Sequence, residues 1–435
     1  MIPAIIIFIA IYALMLTFQK YRPYIALGGG VIFIILGLCG VYPMTPLDAL
    51  LSIDYNVLLM IAGTMGVVTL FIESKMPTLL AELIITKVPN VMWAVTALSL
   101  FAGVVSAFVD NVATVLMIAP VGLAISRKLN ISPVPVLIAI SVSSNLQGAA
   151  TLVGDTTSMM LASAGGMNFL DFFFMDGKLG IFFSVELGAV AAALILMFMF
   201  RKHKQPISAN VETKVTDLFP SYLMIATVLV LVISSFLPAP QNAVLRAIYD
   251  IRAGLICVTL CIVGIVRRAI IDKNADALKN VLKDLDKDTL LLLIGIFVII
   301  AGIDAAGVID ALAGLIVKFS GDSPFLLYTI IVFASVIISA FIDNSPYVAT
   351  MLSVVASIAA QMNVDPTVFY FGLLTGATLG GNLTPIGASA NITAIGILRK
   401  NGEEVKTSDF LKLGVPFTLA AVLTGYAFTW LVWGI

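Results

Sequence analysis

The sequence predicts an all-α polytopic membrane protein made of two inverted repeats. Each repeat holds about five transmembrane helices, one re-entrant helical hairpin and a broken helix. Three observations carry this reading. Hydrophobic residues make up 60% of the 435 residues and charged residues 11%, far below the roughly 25% charge of a soluble domain. The stretch Ser106-Ala107-Phe108-Val109-Asp110-Asn111 reappears 233 residues later as Ser339-Ala340-Phe341-Ile342-Asp343-Asn344. The stretch Gly148-Ala149-Ala150-Thr151-Leu152-Val153-Gly154 is matched at the same offset by Gly381-Asn382-Leu383-Thr384-Pro385-Ile386-Gly387. Two motifs that keep one register point to a duplicated unit, and acids repeated inside apolar segments point to an ion path.

Taken in order, the apolar runs have helical length and lack the ten-residue alternation of an outer-membrane barrel. Run 3–19 has no basic n-region before it and no small-residue cleavage signal after it, so it reads as a retained helix. Runs 24–41 and 53–72 are the next spans. Residues 74–88 set Leu79, Leu80, Leu83 and Ile84 against Lys75, Glu82 and Lys87, the pattern of a helix lying on the membrane surface. A hydrocarbon core of about 30 Å needs roughly 20 helical residues. Runs 92–108 and 112–126, on either side of Asp110-Asn111, are shorter and read as the arms of a hairpin, 91–127. Runs 133–148 and 156–169 flank the first Gly/Thr stretch and read as one broken span, 133–170. Run 180–200 closes a first repeat, 1–205, and a cytoplasmic linker, 206–218, leads to the second, 219–435.

The second repeat follows the same order. Runs 219–237, 250–266 and 289–306 are spans. The inserted stretch 267–288 reads as a charged amphipathic surface strut with Ile271, Leu278, Leu282 and Leu285 on one face. Residues 307–319 set Val308, Leu312, Leu315 and Ile316 against Asp310 and Lys318 and form a second surface helix. Hairpin 323–362, broken helix 366–398 and a last span, 409–433, complete it. Five spans per repeat is an odd number, so the repeats run in opposite directions. With the loop after residue 200 taken as cytoplasmic, the outer side receives only Lys178, Arg246, Arg252 and Lys318 of the 24 basic residues. The other twenty, Arg22 and Lys273 among them, fall inside, a strong positive-inside bias. The expected location is the cytoplasmic (inner) membrane with both termini external. Trp93, Trp430 and Trp433 fall near the predicted interfaces.

The net charge of −1 gives no sign of a nucleic-acid partner. Cys39, Cys257 and Cys261 lie in apolar runs and suit packing, and His203 is the one histidine, so no Cys/His metal site is expected. The ionisable residues inside apolar runs are Asp54, Glu73, Asp110, Asp155, Glu186, Asp304 and Asp343, all acidic. An unpaired carboxylate at the bilayer centre costs about 2.5–3.5 kcal/mol on insertion scales. A carboxylate without a basic partner must bind a cation, bind a proton or face water. Glu73, Asp304 and Asp54 sit near span ends and read as solvated interface residues, while Glu186 has no evident partner.

The re-entrant tips expose helix ends, so Asp110, Asn111, Asp343 and Asn344 offer hard oxygen ligands suited to Na+. Thr114 and Ser345 add hydroxyls. The plain alternative is that each Asp-Asn pair only caps the following helix. Gly148, Gly154, Gly380, Gly381 and Gly387 permit unwound backbone beside Thr151 and Thr384, although small residues also serve simple helix packing. Asn145, Thr156, Asn382, Ser389 and Asn391 complete the candidate ion and substrate site. The repeats diverge here: Asp155 corresponds to Ala388, and Ser158 to Asn391.

At these residues the chain resembles the ion transporter superfamily, in the branch of arsenite efflux permeases, NhaD-type sodium/proton antiporters and the melanosomal P protein. The stretches Ser339 to Met351 and Gly380 to Asn391 look like that family's second hairpin tip and second broken helix. Gly154-Asp155-Thr156-Thr157 looks like the antiporter form. The related divalent anion/sodium symporters carry Ser-Asn-Thr at both tips; here Asp-Asn is followed by Val112 and Ser345. The resemblance implies a homodimer in which a scaffold holds an elevator-like transport domain of hairpins and broken helices.

The expected function is secondary active transport of a small ion or small anion, coupled to Na+ or H+ and needing no other cofactor. No Walker-type nucleotide loop occurs. Asp155 is the candidate proton-exchanging carboxylate, and sodium/proton antiport leads. Proton-coupled arsenite or antimonite efflux and Na+-coupled citrate-like symport compete with it. An ion channel is the reading from another class; an intramembrane enzyme is weaker, because duplication of the whole unit favours alternating access.

Overall fold

The computed structural model describes residues 1–129, 131–207, 211–272, 276–321 and 323–434. Lys273 of the charge count, positions 208–210 of the linker, 273–275 of the inserted stretch and position 435 lie outside the described residues. The first part of the chain carries α1 (Ile2–Thr17), α2 (Arg22–Leu38), α3 (Pro46–Leu51), α4 (Tyr55–Glu73), α5 (Met76–Lys87), α6 (Val91–Ser106), α7 (Asn111–Lys128), α8 (Pro133–Gln147), α9 (Thr156–Ala164) and α10 (Ile181–Phe200). The second carries α11 (Phe219–Ser235), α12 (Ala243–Asp250), α13 (Arg252–Asp272), α14 (Asp276–Asp284), α15 (Lys287–Ala305), α16 (Val308–Ser320), α17 (Pro324–Ser339), α18 (Asn344–Met362), α19 (Thr367–Gly380), α20 (Ser389–Lys400) and α21 (Thr407–Trp433). The starts of α4 to α9 recur 232 to 234 residues later as the starts of α15 to α20. A two-residue antiparallel hairpin, β1 (Phe174–Met175) with β2 (Lys178–Leu179), is a small addition to the expected all-helical chain.

Eight helices among the described residues are long and apolar enough to cross a membrane: α2, α4, α8, α10, α13, α15, α18 and α21. Helices α1 and α11, expected as spans, are 16 and 17 residues long and fall just short by that measure. Conversely α18, expected as a hairpin arm, reaches 19 residues. Local chemistry sets many of the helix starts. Prolines sit in the first turn of α1, α2, α8 and α17, where a missing N–H costs nothing. Asp54, Asp110, Asp155, Asp286 and Asp343 cap the helices that follow them. Both Gly/Thr stretches interrupt helical structure. After α8 a 3-10 turn at Gly148–Ala150 gives way to extended backbone at Thr151 and Asp155 before α9. After α19 the same turn at Gly381–Leu383 gives way to extended backbone at Thr384 and Ala388 before α20.

The tightest helix crossings rest on small residues, as membrane helices favour. A Cβ at Gly63 of α4 would meet Cys257 and Val258 of α13, and one at Gly295 of α15 would meet Ala26 and Leu27 of α2. Cys257 and Cys261 are free and buried, in line with a packing role. Contacts between distant segments gather the expected cytoplasmic loops onto one face. Asn280 donates to Glu73 at 2.9 Å, Arg127 to Asn401 at 2.6 Å, and Thr213 to Glu82 at 2.8 Å. Arg267 meets Asp217 there at 2.7 Å and holds that carboxyl below the usual carboxylate range.

The inserted stretch departs from the expected strut. Residues 267–272 continue α13, 276–284 form α14, and Val281 of α14 is buried against Val67, Leu70, Leu223 and Cys261. Ile271 of α13 and Leu278 and Leu282 of α14, expected with Leu285 on one apolar face, are exposed. A helix this short presents only one or two residues to a neighbour, and the fit to α4 selected Val281.

Candidate functional site

Each tip is built by a helix that ends, a three- or four-residue turn, and a capped helix that starts. At the first tip the Asp110 carboxylate accepts the N–H of Val112 at 3.0 Å and of Ala113 at 3.1 Å. At the second, Asp343 accepts the N–H of Ser345 at 3.4 Å. Both acids are therefore caps, and each keeps lone pairs that the cap does not use.

The broken helices are wedged against these tips through main chain. Thr151 donates its hydroxyl to the carbonyl of Ala107, and Thr384 donates to the carbonyl of Ala340. A Cβ at Gly154 would stand 2.8 Å from the carbonyl oxygens of both Ser106 and Ala107. One at Gly387 would stand 2.5 Å from the Gly381 oxygen and 2.8 Å from that of Ser339. Only glycine lets carbonyl-rich backbone approach this closely. Gly148 and Gly381 line the same seams.

A buried amide network joins the two parts. Asn111 Nδ2 donates to Asn145 Oδ1 at 3.1 Å. Asn145 Nδ2 donates to Asn382 Oδ1 at 3.1 Å and to the carbonyl of Thr378 at 2.8 Å. Asn382 Nδ2 donates to the carbonyl of Val142 at 2.9 Å. Positions 145 and 378 are themselves 233 residues apart, so related positions bond to one another. Asp155 caps α9 through Thr156 N–H at 2.7 Å and accepts the Thr157 hydroxyl at 3.0 Å, which lies 3.2 Å from that of Thr378. At the second tip Ser339 donates to Asn344 Oδ1. Asn391 Nδ2 reaches the carbonyls of Gly381 and Thr384 at 3.3 and 3.4 Å. Its Oδ1 is buried without a partner.

A cavity of about 600 Å³ opens between these motifs. Asp110, Asn111, Asn145, Asp155, Thr156, Asp343, Asn344, Ser345 and Ser389 line it, so both tips and both breaks share one space. The C-terminal half of α4 and the N-terminal end of α15 form its walls, with Asp284, Asp286 and Thr289 at that end. No lysine or arginine is among the described residues lining it. A smaller space of about 50 Å³ continues past Asp110, Gly154, Asp155 and Thr156. A second cavity, of about 630 Å³, lies at the opposite ends of α4 and α15, beside Asp54 and Asp304. It reaches Ala349 of α18 and Met160 of α9 but neither tip.

Some expectations change. Thr114 turns its hydroxyl to the carbonyl of Val109 and is fully buried, so it does not face the cavity. Gly148, Thr151, Gly381, Asn382, Thr384, Gly387 and Asn391 stand behind the cavity wall and hold the residues that line it. The premise that no acid has a basic partner fails at Asp343. Arg22 Nη1 lies 2.9 Å from its Oδ2. Sequence reasoning placed Arg22 at the membrane surface and had no means of bringing a residue 321 positions away to the tip. Asp284, Asp286 and Thr289 were also missed; the Asp-x-x-Thr cap of α15 was the one signal available.

Comparison with known proteins bears on this geometry. The family model described as citrate transporter matches residues 7–270 and 253–434. An uncharacterized transporter of Mycobacterium tuberculosis is 29% identical over 437 residues, covering 98% of each chain. The human P protein is 26% identical over 449 residues, covering 86% of this chain and 53% of its own. Among solved structures, the YdaH transporter of Alcanivorax borkumensis aligns with a TM-score of 0.58 at 13% identity, over 96% of this chain and 98% of that one. That likeness is one of fold.

Proposed function

The chain belongs to the citrate transporter family and is a multi-pass membrane transporter; from that premise we propose a secondary active carrier coupled to Na+ or H+, with sodium/proton antiport as its activity. The single observation that carries the proposal is the acidic cavity. Asp110, Asp155, Asp284, Asp286 and Asp343 line one space with no basic residue among its described lining. Such a space attracts cations and repels bare anions. Hard oxygens from the tips and breaks would replace a cation's hydration shell. Asp155, capped into the wall and facing both spaces, is the carboxylate that would exchange a proton.

Alternating access follows from the two cavities. In this reading the parts 1–205 and 219–435 are inverted repeats joined by a cytoplasmic linker. The cavity between the tips faces the cytoplasm and the one beside Asp54 and Asp304 the outside. The tips and breaks would move as one elevator-like unit against a scaffold, in a homodimer of the inner membrane with both termini outside. The antiparallel lining of the two cavities by α4 and α15 supports the inversion.

The family description favours a second reading, symport of a citrate-like anion. Five aspartates, of which Asp343 alone is paired with Arg22 among the described residues, would admit such an anion only with its charge offset by bound cations. Proteoliposomes loaded at pH 6 and diluted to pH 8 distinguish the two. Antiport predicts Na+ entry that alkalinises the lumen without any carboxylate present. If labelled citrate enters and Na+ fails to move without it, symport replaces antiport. If neither moves, the cation-coupled reading falls.

A further inference from the structure

Arg22 sits at the first position of α2, outside every candidate motif, yet its guanidinium meets the second tip. The contact is half-buried, with 25% and 22% of the two side chains exposed. One helix earlier, Tyr12 of α1 donates to the carbonyl of Pro346 at 3.0 Å and lies 2.7 Å from the Thr350 hydroxyl. The α1–α2 segment thus holds α18 at its charged start and again a turn further along. Helix α2 in turn packs along α15 through Ala26 and Gly295.

Among the described residues no ion pair reaches the first tip, where the Asp110 carboxylate accepts the N–H groups of Val112 and Ala113. The arginine that begins α13, as Arg22 begins α2, is committed elsewhere: Arg252 donates to the Tyr249 carbonyl at 2.9 Å and stacks on that ring at 3.8 Å. The two tips share a motif but differ in who neutralises the acid.

We propose that Arg22 is a tethered counter-cation, occupying the cation position on Asp343 whenever the coupling ion is absent and giving way when that ion arrives. This rests on the cation-coupled reading above. The chemistry of the side chain enforces the exchange. A guanidinium cannot lose its proton in a protein, so Arg22 cannot step aside by titration and must move. An arriving cation and Arg22 compete for the same carboxylate. While Arg22 holds Asp343, α18 is fastened to both α1 and α2; once a cation replaces it, the tip keeps its charge balance and is released from α2, with only the Tyr12 contacts to α1 left to yield. Arg22 is a positioning residue that lets the loaded tip move and holds the empty one, as tight coupling demands.

The test uses the purified full chain in detergent. Thermal stabilisation is titrated with NaCl and with LiCl against choline chloride at constant ionic strength, and by a step from pH 8 to pH 6 in choline chloride. In Arg22→Gln the half-maximal Na+ or Li+ concentration should fall about fivefold, the scale of a half-buried ion pair worth about 1 kcal/mol. Arg22→Lys keeps the charge and should stay within about twofold of wild type. A double-mutant cycle of Arg22→Gln and Asp343→Asn in choline chloride alone should show the pair coupled, with the double variant no less stable than Arg22→Gln. In proteoliposomes Arg22→Gln should raise uncoupled Na+ leak. An unchanged midpoint in Arg22→Gln, with wild type responding to the ion, overturns Arg22's role and leaves cation coupling standing. A wild-type protein that responds to no arm overturns both.

Discussion

Asp110 holds two roles that a pair of substitutions separates. As a cap it accepts the N–H of Val112 at 3.0 Å and of Ala113 at 3.1 Å. Asparagine ranks with aspartate at that position, whereas alanine costs about 1 kcal/mol. As an ion ligand the same residue supplies a full negative charge to the cavity, which asparagine does not. Removing one partner of a buried charge contact costs about 3–5 kcal/mol, and about 3 kcal/mol is already a hundredfold in affinity. Asp110→Asn should therefore unfold within about 1 °C of wild type while its half-saturating Na+ concentration rises at least about a hundredfold. Asp110→Ala should lose the ion response and also about 1 kcal/mol of stability. Differential scanning of the detergent-purified protein reads the first quantity, and Na+-driven flux in proteoliposomes the second. Flux in Asp110→Asn within about threefold of wild type at equal Na+ would refute the ligand role and leave a cap.

Gly387→Ala should cost about 1–3 kcal/mol, because its Cβ would press on the carbonyls of Gly381, Ser339 and Ala340. Gly396→Ala, with nothing within 4 Å, is the control that thermal unfolding should show as neutral or slightly stabilised. Asn382→Ala should cost about 1–3 kcal/mol by stranding the Asn145 amide and the Val142 carbonyl. Outside the membrane, Arg267 holds the Asp217 carboxyl low in the folded state. A lowered folded pKa stabilises above the unfolded value of about 3.9 and loses that contribution as pH falls through the folded one. Asp217→Asn should thus be less stable than wild type at pH 7, by no more than about 1 kcal/mol for so exposed a pair. The gap should close as the pH drops below about 4, and a constant gap down to pH 3 would remove the ion pair as its cause.

The sequence was most legible where a physical constraint is local. The Asp-Asn caps, the glycine-bearing breaks and the prolines that open helices each need only neighbouring residues, and each stands where the spacing put it. Periodicity marked α5 and α16 for the same reason. What stayed hidden depends on contacts between distant segments. Arg22 reads as one more surface cation until α2 is laid beside the tip of α18. Val281 and Ile271 are both apolar in one inserted stretch, and only the fit against α4 decides which is covered. Thr114 looked like a ligand from its place near Asp110, but four residues along the helix set it a full turn further on, and its hydroxyl finds the Val109 carbonyl instead.

Duplication gives two tips and two breaks, but the two copies are not equal. Their chemistry differs beside the cavity. The first break has an acid at Asp155 where the second has Ala388, and the second tip has Arg22 while Asp110 at the first accepts backbone N–H groups. A single buried amide network joins the two copies. Asn145 accepts from Asn111 at the first tip and donates to Asn382 and Thr378 of the other part. Its amide can satisfy all three only while both parts hold their present places. A shift of either tip breaks a bond inside a buried network, where an unmet polar group costs about 1–3 kcal/mol. Under the proposed mechanism, that cost is the reason one tip cannot change its occupant without the other registering it.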